Sequence, residues 1–167
     1  MTSSSVWHHG RALSRRIAFL VGLVGITGLV AACGAPASAG NQNVASTPSP
    51  TAVAAGGQIT LAEFKVSVPT LIKGGTGTFH IVNGGTIEHE LLVFKSDRPI
   101  SAYPTDSDGR ILEEDPSITK ISDGDNIAVG ASQDRAIELS SPGTYVFVCN
   151  LPGHYQQGMY KVVTVTS

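Results

Sequence analysis

The stretch Gly143–Thr166, GTYVFVCNLPGHYQQGMYKVVTVT, decides the fold. GTYVFVC (143–149) and YKVVTVT (160–166) are runs of β-branched and aromatic residues. The segment between them carries Pro152, Gly153 and Gly158, which break regular structure, so the whole reads as strand, loop, strand. Just upstream, DRAIEL (134–139) makes a further strand. Earlier still, GTFHIV (77–82) alternates and runs into Asn83-Gly84-Gly85, a strong turn signal. EHELLVF (88–94) alternates again, with His89, Leu91 and Val93 on one face and Glu88, Glu90, Leu92 and Phe94 on the other. Ile59, Leu61, Phe64, Val66 and Val68 form an extended opening that Pro69 breaks, and Gly74-Gly75 is a turn. Short strands, closely spaced turns and no long helical period predict an all-β antiparallel sandwich.

Residues 95–126 interrupt this rhythm. They hold Pro99, Pro104 and Pro116 and eight of the chain's 13 acidic residues. A loop of that length in a compact domain is functional, mobile or locally helical. Asp106-Ser107-Asp108-Gly109 suggests a calcium loop. Aligning Gly109 with the invariant glycine of such loops, however, puts Pro104 in place of the first Asp and Asp115 in place of the final Glu. A solvated acidic loop is the expectation.

The N-terminus follows a different logic. Arg11, Arg15 and Arg16 precede the uncharged, mostly apolar run Ile17–Ala32, which ends at Cys33. A basic start, an apolar core too short to span a membrane and small residues before a cut site make a secretory signal over 1–32. Val30-Ala31-Ala32-Cys33 resembles the bacterial lipobox, in which the cysteine thiol is lipidated and begins the mature chain. Ser14-Arg15-Arg16 with Phe19-Leu20 also resembles a twin-arginine export signal, one residue off the usual spacing, which leaves the export route open. His8 and His9 fall in the discarded leader. Residues 34–57 carry no charge and are rich in Ala, Ser, Thr, Gly and Pro, so 33–57 reads as a lipidated cysteine and flexible tether. The folded domain is then 58–167. It keeps all 13 acids and 8 of the 11 basic residues, for a net charge of −5. No clustered basic surface points to nucleic acid. The expected location is the outer face of the cytoplasmic membrane, on the periplasmic or extracellular side, as a lipid-anchored monomer.

The chemistry concentrates in Cys149-Asn150-Leu151-Pro152-Gly153-His154-Tyr155-Gln156-Gln157-Gly158-Met159. This loop presents a thiolate, an imidazole and a thioether at C-x4-H-x4-M spacing. Thiolate and thioether are soft ligands that select Cu(I), and imidazole also suits Cu(II). His89, on a strand sixty residues earlier, is the natural source of a second nitrogen. Two His, one Cys and a weak axial Met define a blue-copper electron-transfer site. Taken singly, Cys149 and Met159 would be core residues, His154 an ordinary loop residue, and His80 a surface or strand-pairing residue. Leu151, Pro152 and Tyr155 flank His154 and form a candidate apolar docking patch.

On these residues the domain resembles the cupredoxins, and most closely the rusticyanin and sulfocyanin type, whose copper loop has the same C-x4-H-x4-M spacing. Asn83-Gly84-Gly85-Thr86-Ile87-Glu88-His89-Glu90-Leu91 resembles the family's N-x-G-to-His strand. The resemblance covers 58–167. It implies a Greek-key β-sandwich and one type 1 copper. His89 and Cys149 would be buried ligands, His154 the solvent-facing ligand through which electrons leave, and Met159 the axial ligand. Glu90 departs from the Asn or Ser that several cupredoxins carry beside the thiolate, which leaves open what bonds to the sulfur. The function implied is one-electron transfer between redox partner proteins rather than enzymatic turnover. A multicopper enzyme needs more His than the three beyond the leader, His80, His89 and His154. Copper delivery or storage is the alternative.

Overall fold

The computed structural model describes residues 49–167. The signal over 1–32, Cys33 and most of the tether lie outside the described residues. Nine strands follow in order: β1 (Gly57–Ala62), β2 (Lys65–Ser67), β3 (Leu71–Lys73), β4 (Gly75–Asn83), β5 (Leu92–Lys95), β6 (Thr119–Ser122), β7 (Ser132–Leu139), β8 (Gly143–Val148) and β9 (Tyr160–Thr166). The helical structure among the described residues is one short 3-10 turn, Ile100–Ala102. The strands form two sheets, ordered β2-β1-β4-β7 and β3-β9-β8-β5-β6, so the described residues are all-β as expected.

Both sheets are mixed rather than purely antiparallel. β1 runs parallel to β4 and β3 parallel to β9. Period-two alternation assigns side chains to faces but is silent on strand direction. The opening run folds back as the β1–β2 hairpin, with Leu61 opposite Val66. After Pro69, which has no N–H to give a ladder, the chain joins the other sheet beside β9. The fold also starts N-terminal of Gln58. Val53 bridges Ile72, and its backbone exchanges hydrogen bonds with Leu71 and Lys73 at 3.2 and 2.6 Å. The expected tether is therefore docked on the domain by Val53.

The main core lies between the sheets. Ile59, Leu61, Phe79, Ile81, Ile137, Tyr145, Phe147 and Val163 are among its buried members, and Cys149 and Met159 belong to it too. β4 and β7 alternate between buried and exposed residues in their second halves. β5 and β8, by contrast, are buried almost continuously. Such runs belong to strands covered on both faces, and the 95–126 segment supplies the cover. Its Tyr103, Ile111 and Ile118 pack on Leu92, Phe94, Val146 and Val148 as a second buried cluster. Each such side chain is worth at most about 1.5–3 kcal/mol of burial. The segment expected to be solvated is therefore half structural. It contributes β6 to the sheet edge, and its acids are largely engaged. Asp106 and Asp108 both pair with Arg110 at 3.0 and 3.2 Å. Glu113, Glu114 and Asp123 all reach Lys120 at 2.8–3.1 Å.

The strand expected over 88–94 begins only at Leu92. The Leu91 carbonyl is taken by the Arg135 guanidinium at 2.5 Å instead of a neighbouring strand. His89 joins the fold through an isolated bridge to Ile127.

Candidate metal centre

Three elements bring His89, Cys149 and His154 to one end of the sandwich. Cys149 follows β8 directly, and its N–H donates to the Met159 carbonyl at 3.0 Å, closing the loop at its neck. Inside that neck the chain winds through tight turns. His154 N–H donates to Leu151, and Met159 N–H donates to His154, at 3.0 and 3.1 Å. Gly153 sits at φ 77°, a left-handed conformation that costs glycine nothing. His89 is held from the other side. Its backbone exchanges hydrogen bonds with Ile127 at 3.2 and 2.7 Å.

Asn83, read from the sequence as a turn residue and as the first residue of the family-like N-x-G-to-His stretch, fastens this region. It is fully buried. Its amide donates to the Ile87 and Ile127 carbonyls, both at 2.8 Å, and its carbonyl accepts from Gly85 N–H at 2.9 Å. One side chain thus ties together the turn before His89 and the segment around Ile127 that His89 bridges.

The ligand atoms of His89, Cys149 and His154 all lie within 4.8 Å of one another. Cys149 Sγ is 4.0 Å from His89 Nδ1 and 3.2 Å from His154 Nδ1. Imidazole and thiolate bind first-row ions at about 2.0–2.3 Å, so two donors on one ion lie no more than about 4.4 Å apart. Both sulfur–nitrogen distances meet that limit. The two rings sit 5.3 Å apart at 67°, and Phe64 packs edge-on to His154 at 5.2 Å. His89 and Cys149 are fully buried, and His154 is half-buried.

The electrostatics suit a cation. Burial pushes the Cys149 thiol up and both imidazoles down, and the neighbouring His154 adds to the shift at His89. The donor set is thus neutral on its own, and a soft cation that takes the thiolate offsets the burial cost of its charge. The sulfur also accepts the Glu90 backbone N–H at 3.3 Å. This settles what bonds to sulfur at the departure noted for Glu90: the donor is main chain, and the Glu90 side chain is not needed for it. Burial, with Glu113 and Asp123 nearby, pushes that carboxyl up to about 7.

Glu63 is a second residue that the sequence did not single out. Its carboxylate accepts the Thr86 and Ile87 N–H groups and the Thr86 hydroxyl, the second and third at 2.9 and 3.1 Å. It also lies 3.9 Å from His89 Nε2, a buried nitrogen with no other partner. These backbone donors hold Glu63 at about 2, below its ordinary 4.5. A depressed carboxylate stabilises the fold above 4.5 and loses that contribution as pH falls toward about 2. Glu63→Gln should therefore separate from the wild-type apoprotein in thermal unfolding at neutral pH, with the gap closing over that acid window. A constant gap down to pH 2 would show that the charge is not responsible.

The remaining sequence candidates also find places. Met159 is fully buried in the main core and joined by backbone to Cys149. Leu151 packs against the main core, and Tyr155 joins the second cluster, so both have internal roles. Pro152 is exposed. His80 stands apart from the centre and pairs with Asp134 across β4 and β7 at 2.7 Å.

Two imidazoles and a thiolate converging at the end of a two-sheet β-sandwich define a cupredoxin-type copper protein. The sulfocyanin (SoxE) domain family matches residues 44–167, and the chain belongs to that family. Sulfocyanin of Sulfolobus acidocaldarius is 28% identical over 95 residues, covering 56% of this chain and 48% of that protein. The copper-resistant cuproprotein CopI of Rubrivivax gelatinosus is 29% identical over 104 residues, covering 61% of this chain and 59% of that one. The chain thus spans about half to three-fifths of the length of these relatives. Among solved structures, dithionite-reduced auracyanin from Roseiflexus castenholzii is similar at 25% identity and a TM-score of 0.51, covering 67% of this chain and 97% of that one. The His89–Cys149–His154 group is consistent with the single type 1 copper of such proteins.

Proposed function

We propose that this protein carries single electrons between redox partner proteins, on one copper held by His89, Cys149 and His154 with Met159 as the axial thioether. The observation that carries this reading is the convergence of the three donors in a buried site gripped from both sides. Bound copper supplies the one-electron couple. The chain's own contribution is to keep the donors in place. Cu(II) and Cu(I) prefer different geometries, and a donor set restrained by the loop neck, by Asn83 and by the Glu90 N–H rearranges little when the charge changes. Half-buried His154 is the ligand nearest solvent and the exit for the electron, with Pro152 and the partly exposed faces of Leu151 and Tyr155 around it for docking. In the same reading residues 1–32 are an export signal and Cys33 carries lipid. The domain then stands at the outer face of the cytoplasmic membrane, tethered through the residues before Val53. Mass spectrometry of the mature N-terminus tests this. A lipid-modified Cys33 supports it, and an intact Met1 overturns it.

Visible and EPR spectra after Cu(II) addition test the copper site. An intense thiolate-to-copper band with narrow copper hyperfine splitting is expected. Met159→Gln should keep the colour and lower the potential, because an amide oxygen stabilises Cu(II). Each tenfold gain in preference for Cu(II) lowers a one-electron potential by about 59 mV, and a shift of at least that size is expected by voltammetry. An unchanged potential would remove Met159 from the axial position. The similarity to a copper-resistant cuproprotein favours a second reading, copper delivery or storage. Rapid copper transfer to an apo-acceptor would support that reading, and slow exchange would support the carrier.

A further inference from the structure

The loop between Cys149 and Met159 is held from outside by the 99–118 segment at four points. Asn150, only 3% exposed, pairs with the backbone of Ile111 in both directions. Its carbonyl accepts Ile111 N–H at 2.6 Å, and its amide donates to Ile111 O at 3.1 Å. The same amide donates to Glu113 Oε1 at 3.1 Å. Gly153 N–H donates to the Asp108 carbonyl at 3.1 Å, and the Tyr155 hydroxyl donates to the Ile100 carbonyl at 2.6 Å. Gly109, at φ 77°, lies against the Gln156 side-chain amide so closely that an added Cβ would come within 2.2 Å of it. The outer segment is itself anchored, since Tyr103, Ile111 and Ile118 are buried on the sheet.

This arrangement exceeds what loop packing needs. A buried side-chain amide that bonds both the N–H and the C=O of one residue imitates a strand pair and is sensitive to small displacements. It does so at the residue bonded to the thiolate-bearing Cys149. The other ties fall on both sides of His154. We propose that the 99–118 segment is an external strap that holds the copper loop in its ligand geometry, with Asn150 as the main positioning residue and Tyr155 as a second. Neither touches the donor atoms; they act through Cys149 and His154. The inference rests on the copper reading above.

The test compares the wild type, Asn150→Ala and Tyr155→Phe, each without and with copper. In the apoproteins, amide hydrogen exchange over 150–158 should quicken about tenfold in Asn150→Ala and less in Tyr155→Phe, with β4 and β7 unchanged. In the copper forms, the hyperfine splitting and the ratio of visible bands should shift, and electron self-exchange should slow about tenfold in Asn150→Ala. Unchanged loop exchange in both variants would overturn the strap. A loosened loop with unaltered spectrum, potential and self-exchange would overturn the positioning role. Should Asn150→Ala fail to fold, Tyr155→Phe carries the same readouts with one hydroxyl removed. A wild type that takes up copper without blue colour would overturn the copper reading, and the positioning role with it. The apoprotein exchange would then still decide whether the strap grips the loop.

Discussion

Cys149→Ala should give a protein that folds, is colourless with Cu(II), and binds copper more than about 100-fold more weakly. The intense colour of a type 1 site comes from charge transfer out of a thiolate, and Cys149 is the one cysteine among the described residues. Even partners that touch a metal only through another residue are worth roughly 10–100-fold in affinity, so loss of a direct, charge-bearing donor should exceed that range. One buried and one half-buried neutral imidazole would remain. The fold should survive, because the change removes one sulfur from a large core cluster and costs only one weak acceptor, that of the Glu90 N–H. A cost of about 1 kcal/mol is typical of such a deletion. Visible spectroscopy and a competition titration with a copper chelator check both parts. An intensely blue variant would sink the site assignment.

Asn83→Ala should be among the most damaging single polar deletions in the domain. The Asn83 side chain, itself fully buried, makes three hydrogen bonds; alanine leaves the Ile87 carbonyl and the Gly85 N–H without this partner and the Ile127 carbonyl with the His89 N–H alone. An unsatisfied buried group costs about 1–3 kcal/mol. Allowing for partial rearrangement, the loss should reach about 3–5 kcal/mol, a large share of the roughly 5–15 kcal/mol that holds a domain together. Urea unfolding of the apoprotein should show a lower midpoint at an unchanged slope. A second effect follows from position. The Ile127 carbonyl that Asn83 fixes is the one that accepts His89 N–H, so the copper form should lose its metal faster than the wild type. Asn83→Asp is the informative companion. It keeps the acceptor for Gly85 N–H but turns an anion toward two carbonyls, and should be no better than alanine. A loss below about 1 kcal/mol in Asn83→Ala would mean that the turn before His89 is held by other means.

The copper loop was legible because its information is local. Cys149, His154 and Met159 lie in one short segment whose flanking strands announce themselves by composition, so spacing alone put three candidate donors together. His89 was reached by requiring one more nitrogen, and the strand signal around it was right in type though not in extent. Alternation over Glu88–Phe94 could not show that the Leu91 carbonyl goes to Arg135 and that the ladder begins only at Leu92. The residues that hold the donors went unseen for the same reason throughout. Glu63 and Asn150 are ordinary loop residues in sequence, and Asn83 stood out only as a turn and as the start of the family-like stretch; each acquires its holding role from a partner 24 to 44 positions away.

By itself, then, the sequence determined the β class, the position of the ligand loop and the kind of metal its donors select. These follow from period-two patterning, turn chemistry and ligand softness, all properties of neighbouring residues. Only the tertiary structure decided the rest: the two parallel strand pairs, the docking of Val53, the second core beneath the acidic segment and the main-chain donor to the sulfur. Each depends on which distant segments meet when the chain closes on its core, and no local pattern encodes that. The 95–126 segment shows the difference most plainly. Its acids and prolines describe a solvated loop, yet its buried Tyr103, Ile111 and Ile118 bind it to the outer face of the sheet and bring Ile111 against Asn150.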